Sequence, residues 1–208
     1  MDSSENIRNG CLRLGDTAPD FRARTTRGAV QLSDYRGKWV IFFSHPADFT
    51  PVCSTEFVAL ARRQAEFEAL DCALLGLSVD SLYSHIAWVR ALQDQFAVEI
   101  TFPIIEDPSM VVGRAYGMID DDASDSMAMR STFFIDPDGI VRAITTYPHT
   151  VGRSVEEMLR LLKALQAVSK EKGLAPEGWT QGQPLLAMPA DDMAATASAP
   201  DWFCRTGD

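Results

Sequence analysis

The chain has 208 residues, of which 46% are hydrophobic, enough for one ordinary globular core without disulfide bonds to stabilise it. Its net charge of −10 argues against binding to nucleic acids or anionic membranes, because both attract basic protein surfaces. The apolar runs are shorter than the roughly 18 residues that a membrane span needs, and the N-terminus lacks the basic-then-apolar order of a secretion signal. We therefore expect a soluble, cytoplasmic protein.

The cysteines and histidines are few and scattered. They are Cys11, Cys53, Cys72, Cys204, His45, His85 and His149. No two cysteines form a C-x-x-C pair, so neither a zinc module nor a thioredoxin-type dithiol is predicted. The histidine spacing does not favour a metal site, and we predict no metal and no cofactor. In a cytosolic chain, such cysteines react or pack in the core more often than they form structural disulfides.

The first elements are strands. After an extended lead-in at Leu14–Phe21, a small hairpin is predicted at Arg22–Thr25 and Ala29–Leu32. The stretch Lys38–His45 is a short run rich in β-branched and aromatic residues that predicts a buried strand.

A helix is predicted to begin near Pro51, because proline suits the opening turn and an apolar stripe follows. The stripe extends to about Leu70 and consists of Phe57, Leu60, Ala61, Gln64 and Phe67. Cys53 then lies in the opening turn, where unpaired N–H groups and the helix dipole stabilise a thiolate, the nucleophilic form of cysteine. Thr50 can bring a hydroxyl beside the sulfur. The alternative, a small buried apolar role for Cys53, stays open on position alone.

A second strand and helix follow. Cys72–Val79 predicts a buried strand with Cys72 in the core. Asp80 and Ser81 can cap a helix. Its predicted apolar stripe is Leu82, Ile86, Val89, Leu92 or Gln93, and Phe96. His85 lies on this helix, where we expect a packed or surface residue rather than a ligand.

The next part of the chain predicts short elements and a hairpin. Thr101–Ile105 predicts a strand and Met110–Tyr116 a short helix. Ser131–Ile135 and Ile140–Thr146 flank Asp136–Gly139, whose sequence DPDG is a strong signal for a hairpin turn.

The last helix is followed by an irregular extension. Ser154–Glu157 forms a capping box that opens a helix, and Gly173 is expected to end it. Ala194–Pro200 reads as a linker, and Trp202–Cys204 brings an aromatic pair and a cysteine near the end. The order of elements predicts an α/β protein with a thioredoxin-like fold, in which a central mixed sheet is flanked by helices. We predict a thioredoxin-like domain at residues 1–172 and a C-terminal arm associated with a dimer at 173–208.

The stretch Pro46–Cys53 reads PADFTPVC and lies between an apolar strand and a helix. It matches P-x-x-x-T/S-x-x-C, the signature of the peroxiredoxin family, which this chain therefore resembles. Arg130 matches the family's active-site arginine. The stretches Ser44–Cys53 and Thr150–Arg153 are similar to the one-cysteine branch, which also brings the arginine of the second motif near the site. The resemblance covers about residues 14–189.

This resemblance implies a thiol peroxidase. Cys53 would attack the terminal oxygen of a peroxide and become a sulfenic acid, while Thr50 bonds the sulfur and the peroxide. Arg130 would favour the thiolate and stabilise the separating oxygens. Four further side chains are implied to orient these groups, shield the sulfur or line the pocket: Arg153, Glu56, Pro46 and His45. For His45, a strand-end histidine bonded to the backbone stays the alternative.

The resemblance also implies a role for Cys204. In relatives with a Trp-Phe-Cys stretch like Trp202–Cys204, this cysteine resolves the sulfenic acid of a partner subunit, and a thioredoxin-like protein or small thiol reduces the disulfide. The alternatives are a one-cysteine cycle with an external thiol, or a redox sensor or chaperone that uses Cys53 without turnover. The family implies a homodimer, alone or in a ring of dimers. We expect no chemical role for Cys11 and Cys72.

Overall fold

The computed structural model describes residues 12–119, 125–193, 196 and 201–207. It divides into two compact units, one ending at Arg153 and the other beginning at Ser154. The boundary predicted between residues 172 and 173 stays a prediction. Cys11 and most of the predicted linker at Ala194–Pro200 lie outside the described residues.

The first unit is built on a seven-stranded mixed sheet. Its strands are β1 (Arg22–Thr25), β2 (Gly28–Gln31), β3 (Trp39–Ser44), β4 (Cys72–Ser78), β5 (Ile104–Glu106), β6 (Arg130–Ile135) and β7 (Val141–Tyr147). The spatial order is β2-β1-β5-β4-β3-β6-β7, with β3, β4 and β5 parallel and every other pair antiparallel. The predicted mixed sheet is confirmed, and the β6–β7 hairpin lies at one edge as expected.

Helices flank this sheet, and side chains on the two faces of β3 contact different parts of the chain. The helices of the first unit are α1 (Pro51–Ala69), α2 (Leu82–Phe96) and α3 (Val111–Ala115). Neighbouring strand residues point to opposite faces. Phe43 therefore packs against Phe57 of α1, with ring centroids 5.6 Å apart, while Phe42 packs against Tyr116 after α3, at 4.7 Å. Both faces of β3 are covered by aromatic side chains, and all six of its residues are buried.

The buried face of α2 differs from the predicted stripe. The buried residues are His85, Trp88 and Leu92, whereas Phe96 is exposed. The prediction was correct for Leu92 and wrong for Phe96, and it did not include Trp88 or His85. A histidine can be buried when its ring nitrogens find partners elsewhere in the fold, and no helical periodicity reveals those partners.

The second unit contains one helix, α4 (Val155–Glu171), and the arm that follows it. The predicted cap is confirmed, because the Ser154 side chain accepts a hydrogen bond from the Glu157 N–H. The helix ends at Glu171, and its C-cap, Lys172, adopts a left-handed conformation with φ 54° one residue before the predicted stop at Gly173. Trp179 of the arm is buried with Ala164 and Leu185. None of the helices in the described ranges is long and apolar enough to cross a membrane.

Candidate active site

The loop between β3 and α1 delivers the cysteine. Ser44 ends β3 in the fully buried part of the sheet, and the chain reverses before α1 begins at Pro51. Phe49 takes a left-handed conformation with φ 57°, which is uncommon for a bulky residue and is typical of functional loops. The next residue, Thr50, is the N-cap of α1, and its hydroxyl donates to the Ala47 carbonyl oxygen at 2.8 Å. A hydrogen bond within the loop, from the Thr50 hydroxyl to the Ala47 backbone, therefore stabilises the loop conformation.

Cys53 lies in the first turn of α1, is fully buried, and contacts a buried arginine. Arg130 opens β6, and its Nη1 donates to the Cys53 Sγ at a distance of 3.3 Å. Only 2% of the Arg130 surface is exposed, so solvent screens this contact weakly. The sulfur thus has a permanent positive charge beside it in addition to the dipole of α1.

Glu56 joins this arginine to a second one. Its carboxylate lies one turn after Cys53 and accepts a hydrogen bond from Arg130 Nη1 at 2.8 Å. Arg153 contributes three more bonds to Glu56, from its backbone N at 2.7 Å, from Nε at 2.9 Å and from Nη2 at 2.9 Å. Burial by itself would raise the pKa of Glu56, but the hydrogen bonds and charge of Arg153, together with the charge of Arg130, hold it below its usual value.

The charges of this network do not balance without the sulfur. Two guanidinium groups and one carboxylate leave one positive charge in a buried site, since all three side chains are at most 3% exposed. A thiolate at Cys53 would neutralise it, and a neutral thiol would not. Because an unbalanced buried charge is costly, an anionic group beside Arg130 would be stabilised here.

A loop before α4 fixes the two arginines. The His149 carbonyl accepts hydrogen bonds from Arg130 Nε at 3.1 Å and Nη2 at 2.9 Å. Gly152 passes close to α1, because a Cβ there would lie 3.3 Å from Val52 Cγ1. Arg153 Nη1 also donates to the Ser131 carbonyl at 3.1 Å. The glycine in the motif Thr150–Arg153 therefore permits the close approach that brings Arg153 to Glu56.

A second buried cluster lies beneath the same loop. The Asp48 carboxylate bonds His45 Nε2 at 2.9 Å with one oxygen and His85 Nδ1 at 2.8 Å with the other. These residue types also bind metals, and within the described ranges this is the one group whose ligand atoms all lie within 4.8 Å of one another. The direct hydrogen bonds already satisfy the atoms involved, so we assign no metal to them.

The other described cysteines have different environments. Cys72 is buried in β4, where burial raises the pKa of its thiol to about 12, so it stays protonated at neutral pH. Cys204 is exposed and belongs to the second unit, beside the exposed aromatic side chains of Trp202 and Phe203. All three described cysteines are free thiols.

Sequence reasoning located part of this site. Four of the predicted residues form one hydrogen-bonded network: Cys53, Glu56, Arg130 and Arg153. Pro46 is buried in the loop and Thr50 caps the helix, but the Thr50 hydroxyl bonds Ala47 in this structure. Asp48 and the partners of His85 were not predicted. Asp48 lies inside the signature Pro46–Cys53, so its position could have marked it as a site residue. The His149 carbonyl is a backbone group far along the chain, and no sequence pattern marks it as a partner of Arg130.

The sheet is thioredoxin-like, and a buried cysteine lies at the N-terminus of a helix beside it. An arginine that is paired with a carboxylate donates a hydrogen bond to this cysteine. These features together define a thiol-based redox enzyme. The chain belongs to the AhpC/TSA family, whose model matches residues 14–144. It is 48% identical over 186 residues to a curated protein named peroxiredoxin 2 from Caldanaerobacter subterraneus subsp. tengcongensis, covering 89% of this chain and 84% of that protein.

Solved structures give the same family. A yeast mitochondrial 1-Cys peroxiredoxin superposes with a TM-score of 0.80 at 38% identity, covering 89% of this chain and 92% of the other. A reduced Plasmodium vivax 2-Cys peroxiredoxin gives a TM-score of 0.78 at 31% identity, covering 84% and 93%. The thioredoxin-like fold is confirmed, and the chain is a thiol-dependent peroxidase of the peroxiredoxin type. One-cysteine and two-cysteine members are both among the similar structures.

Proposed function

We propose that Cys53 is the nucleophile that reduces hydrogen peroxide and organic hydroperoxides, with Arg130 as its activating cation. The observation that carries this proposal is the Arg130 Nη1 group, which donates both to the Cys53 Sγ at 3.3 Å and to Glu56 at 2.8 Å. This shared donor places positive charge where the thiolate and the departing oxygen both need it.

The chemical step balances without a cofactor. The Cys53 thiolate forms an S–O bond with the terminal peroxide oxygen while the O–O bond breaks. The electron pair of that bond leaves on the second oxygen, which takes up a proton and departs as water or an alcohol. Cys53 is oxidised to a sulfenic acid and the peroxide is reduced. Arg130 stabilises the negative charge on the departing oxygen.

Thr50 is the proposed acceptor for the peroxide. Its hydroxyl proton is directed to the Ala47 carbonyl, so the oxygen presents its lone pairs to an incoming O–H group. A hydroperoxide that donates to Thr50 would be oriented with its terminal oxygen toward Cys53. This orientation contributes to rate by positioning the reactants.

The remaining predicted residues have supporting roles in this proposal. Glu56 and Arg153 hold the Arg130 fork in place through buried ion pairs. Pro46, buried and without an N–H group, keeps water from the sulfur. His45 lines the same loop through its bond to Asp48.

We propose Cys204 as the resolving thiol. Its thiol would attack the Cys53 sulfenic acid, forming a disulfide and releasing water, and a thioredoxin-like protein or a small thiol would then reduce that disulfide. The exposure of Cys204 supports this role, because a resolving thiol must reach another sulfur. The proposed partner is a second copy of this chain, in a dimer or a ring of dimers. The cytoplasmic location stays a prediction.

One equivalent of hydrogen peroxide, added to the reduced protein without reductant, tests the proposal by mass spectrometry of the products. A Cys53–Cys204 disulfide is expected, and a dimer-sized band on a non-reducing gel would make it intersubunit. Cys204→Ser should instead accumulate sulfenic or sulfinic acid on Cys53, while Cys72→Ser, the matched control, should still form the disulfide. Sulfenic acid on Cys53 with Cys204 reduced in the unsubstituted protein would replace this scheme with a one-cysteine cycle.

Turnover separates the enzyme from a redox sensor or chaperone. With a thiol reductant present, many equivalents of peroxide per subunit should be consumed. Consumption that stops after one equivalent would contradict the peroxidase cycle proposed for Cys53.

A further inference from the structure

The hydrogen bonds of the His45–Asp48–His85 cluster indicate which ring nitrogens carry protons; we call the number of these protons the proton count. His85 Nδ1 lies 2.8 Å from Asp48 Oδ2, and its other ring nitrogen, Nε2, lies 3.2 Å from the Ile105 carbonyl oxygen. A carboxylate and a carbonyl only accept hydrogen bonds, so both nitrogens of His85 must donate. A ring that donates from both nitrogens is an imidazolium. His85 therefore carries a buried positive charge.

His45 shows the opposite arrangement. Its Nε2 faces Asp48 Oδ1 at 2.9 Å, whereas its Nδ1 is buried without a hydrogen-bond partner. Burial lowers the pKa of His45 despite the neighbouring carboxylate, and the charges of His85 and Arg153 act in the same direction. The ring is thus neutral, with its single proton on Nε2. Nδ1 is a bare acceptor.

Asp48 connects both rings to the loop that carries the site. Burial alone would raise the pKa of Asp48, but bonds from His45 and His85 lower it far below the usual range, so the group is a carboxylate. The Asp48 backbone N–H also donates to Asp80 at 3.0 Å. Other charges that act on the two rings are Arg153 on the His45 side and Glu106 on the His85 side. Asp48 is therefore anchored through its backbone and through both oxygens, two residues before Thr50.

We propose that His85 is a positioning residue of the peroxidase site: its charge balances Asp48 and thereby keeps His45 neutral, with the proton on Nε2 and a bare acceptor at Nδ1. This inference rests on the proposed function of Cys53. Without the charge of His85, the buried carboxylate needs another cation, and His45 is the group in hydrogen-bond contact that can become one. A protonated Nδ1 would then be a buried donor that must find an acceptor. The loop from Pro46 to Thr50 would shift to supply it.

The packing around His45 shows why such a shift would reach the chemistry. The His45 ring stacks on Trp88 of α2 with centroids 5.2 Å apart and meets Phe57 of α1 edge-on at 4.8 Å. Trp88 Nε1 in turn donates to the hydroxyl of Ser54, the residue that follows Cys53, at 3.3 Å. A movement of the His45 ring is therefore transmitted to the first turn of α1.

Nitrogen NMR of the reduced, histidine-labelled protein at neutral pH tests the proton count directly. Long-range ¹H–¹⁵N spectra distinguish protonated from bare ring nitrogens. We expect two protonated nitrogens on His85, and one protonated Nε2 with one bare Nδ1 on His45. A bare nitrogen on His85 would overturn the proposal, and this measurement needs no variant to fold.

His85→Asn tests the role of the charge. Asparagine keeps an N–H donor toward Asp48 but is neutral, so His45 should gain a proton on Nδ1 and the rate constant for Cys53 oxidation should fall about tenfold. Tyr83→Gln, an exposed position on the same helix, is the matched control and should change neither. A His45 that keeps its bare Nδ1 in His85→Asn would overturn the proposal. If unsubstituted Cys53 is not oxidised by peroxide, the proposed function fails, while the spectra still decide the charge of His85.

Discussion

Replacing Arg130 by glutamine should slow peroxide reduction strongly while leaving the fold intact. Glutamine retains an N–H donor but removes the charge beside Cys53. It also cannot bond the His149 carbonyl, Glu56 and the sulfur together, as the guanidinium does through Nε, Nη2 and Nη1. Arg153 still pairs with Glu56 in this variant, so that carboxylate keeps a counter-charge.

The magnitude follows from the burial of the contact. Arg130 is 2% exposed, so water screens its interaction with Cys53 only weakly and the full free energy of the hydrogen bond applies. A hydrogen bond to a charged group contributes about 1.5–3 kcal/mol, and about 1.4 kcal/mol corresponds to a factor of ten. The rate constant for Cys53 oxidation should therefore fall roughly 10- to 150-fold if that free energy is lost from the transition state.

Stopped-flow measurement of a single oxidation by hydrogen peroxide checks this value. Arg130→Lys, which keeps the charge but not the planar fork, should give an intermediate rate constant. The matched control is Arg142→Gln, which removes an arginine–carboxylate pair with Asp136 at the far end of the β6–β7 hairpin and should leave the rate unchanged. A rate constant for Arg130→Gln within about threefold of the unsubstituted protein would refute the reasoning.

Three further predictions concern the same network. Glu56→Gln should reduce the free energy of unfolding at neutral pH by about 3–5 kcal/mol, because it leaves two buried guanidinium groups without their carboxylate. The pKa of Glu56 is lowered in the folded state, so its stabilising contribution is complete above the unfolded-state value of about 4.3 and is lost as the pH falls through the folded value. Thermal unfolding of Glu56→Gln should therefore depend less on pH in the acid range, and an unchanged slope would contradict this. Thr50→Val should slow peroxide reduction roughly 5- to 150-fold, as expected when a half-buried hydrogen-bond partner worth about 1–3 kcal/mol is removed, while Thr50→Ser should largely retain the rate. Cys53→Ser should abolish peroxide consumption and Cys72→Ser should not, because the raised pKa of Cys72 keeps it a thiol; equal losses in both variants would be inconsistent with a single reactive cysteine.

The sequence was sufficient to place Cys53 because the signals around it are local. An apolar strand, a loop bounded by prolines and an amphipathic helix are each properties of neighbouring residues, and together they place Cys53 in a first helical turn. The same holds for the DPDG turn between β6 and β7 and for the Ser154 cap of α4, both of which the structure confirms.

Partners far apart in the chain could not be predicted from spacing. His85 bonds an aspartate 37 residues away, and Arg130 bonds a carbonyl 19 residues away. Family resemblance indicated Arg130 and Arg153 as site residues, but not that Glu56 joins them through one carboxylate. Whether His85 of α2 is packed or exposed could not be predicted for the same reason, because burial of a polar side chain depends on a partner outside the helix.

The sequence by itself therefore determined the class of the fold, the strand-to-helix position of Cys53 and the family to which the chain belongs. The tertiary structure alone decided the network of two arginines and one carboxylate around the sulfur, and the hydrogen bonds that join the buried histidine cluster. The physical reason is that periodicity and turn preferences act over a few residues, whereas electrostatic pairing acts between groups that only the folded sheet brings within about 3 Å of each other.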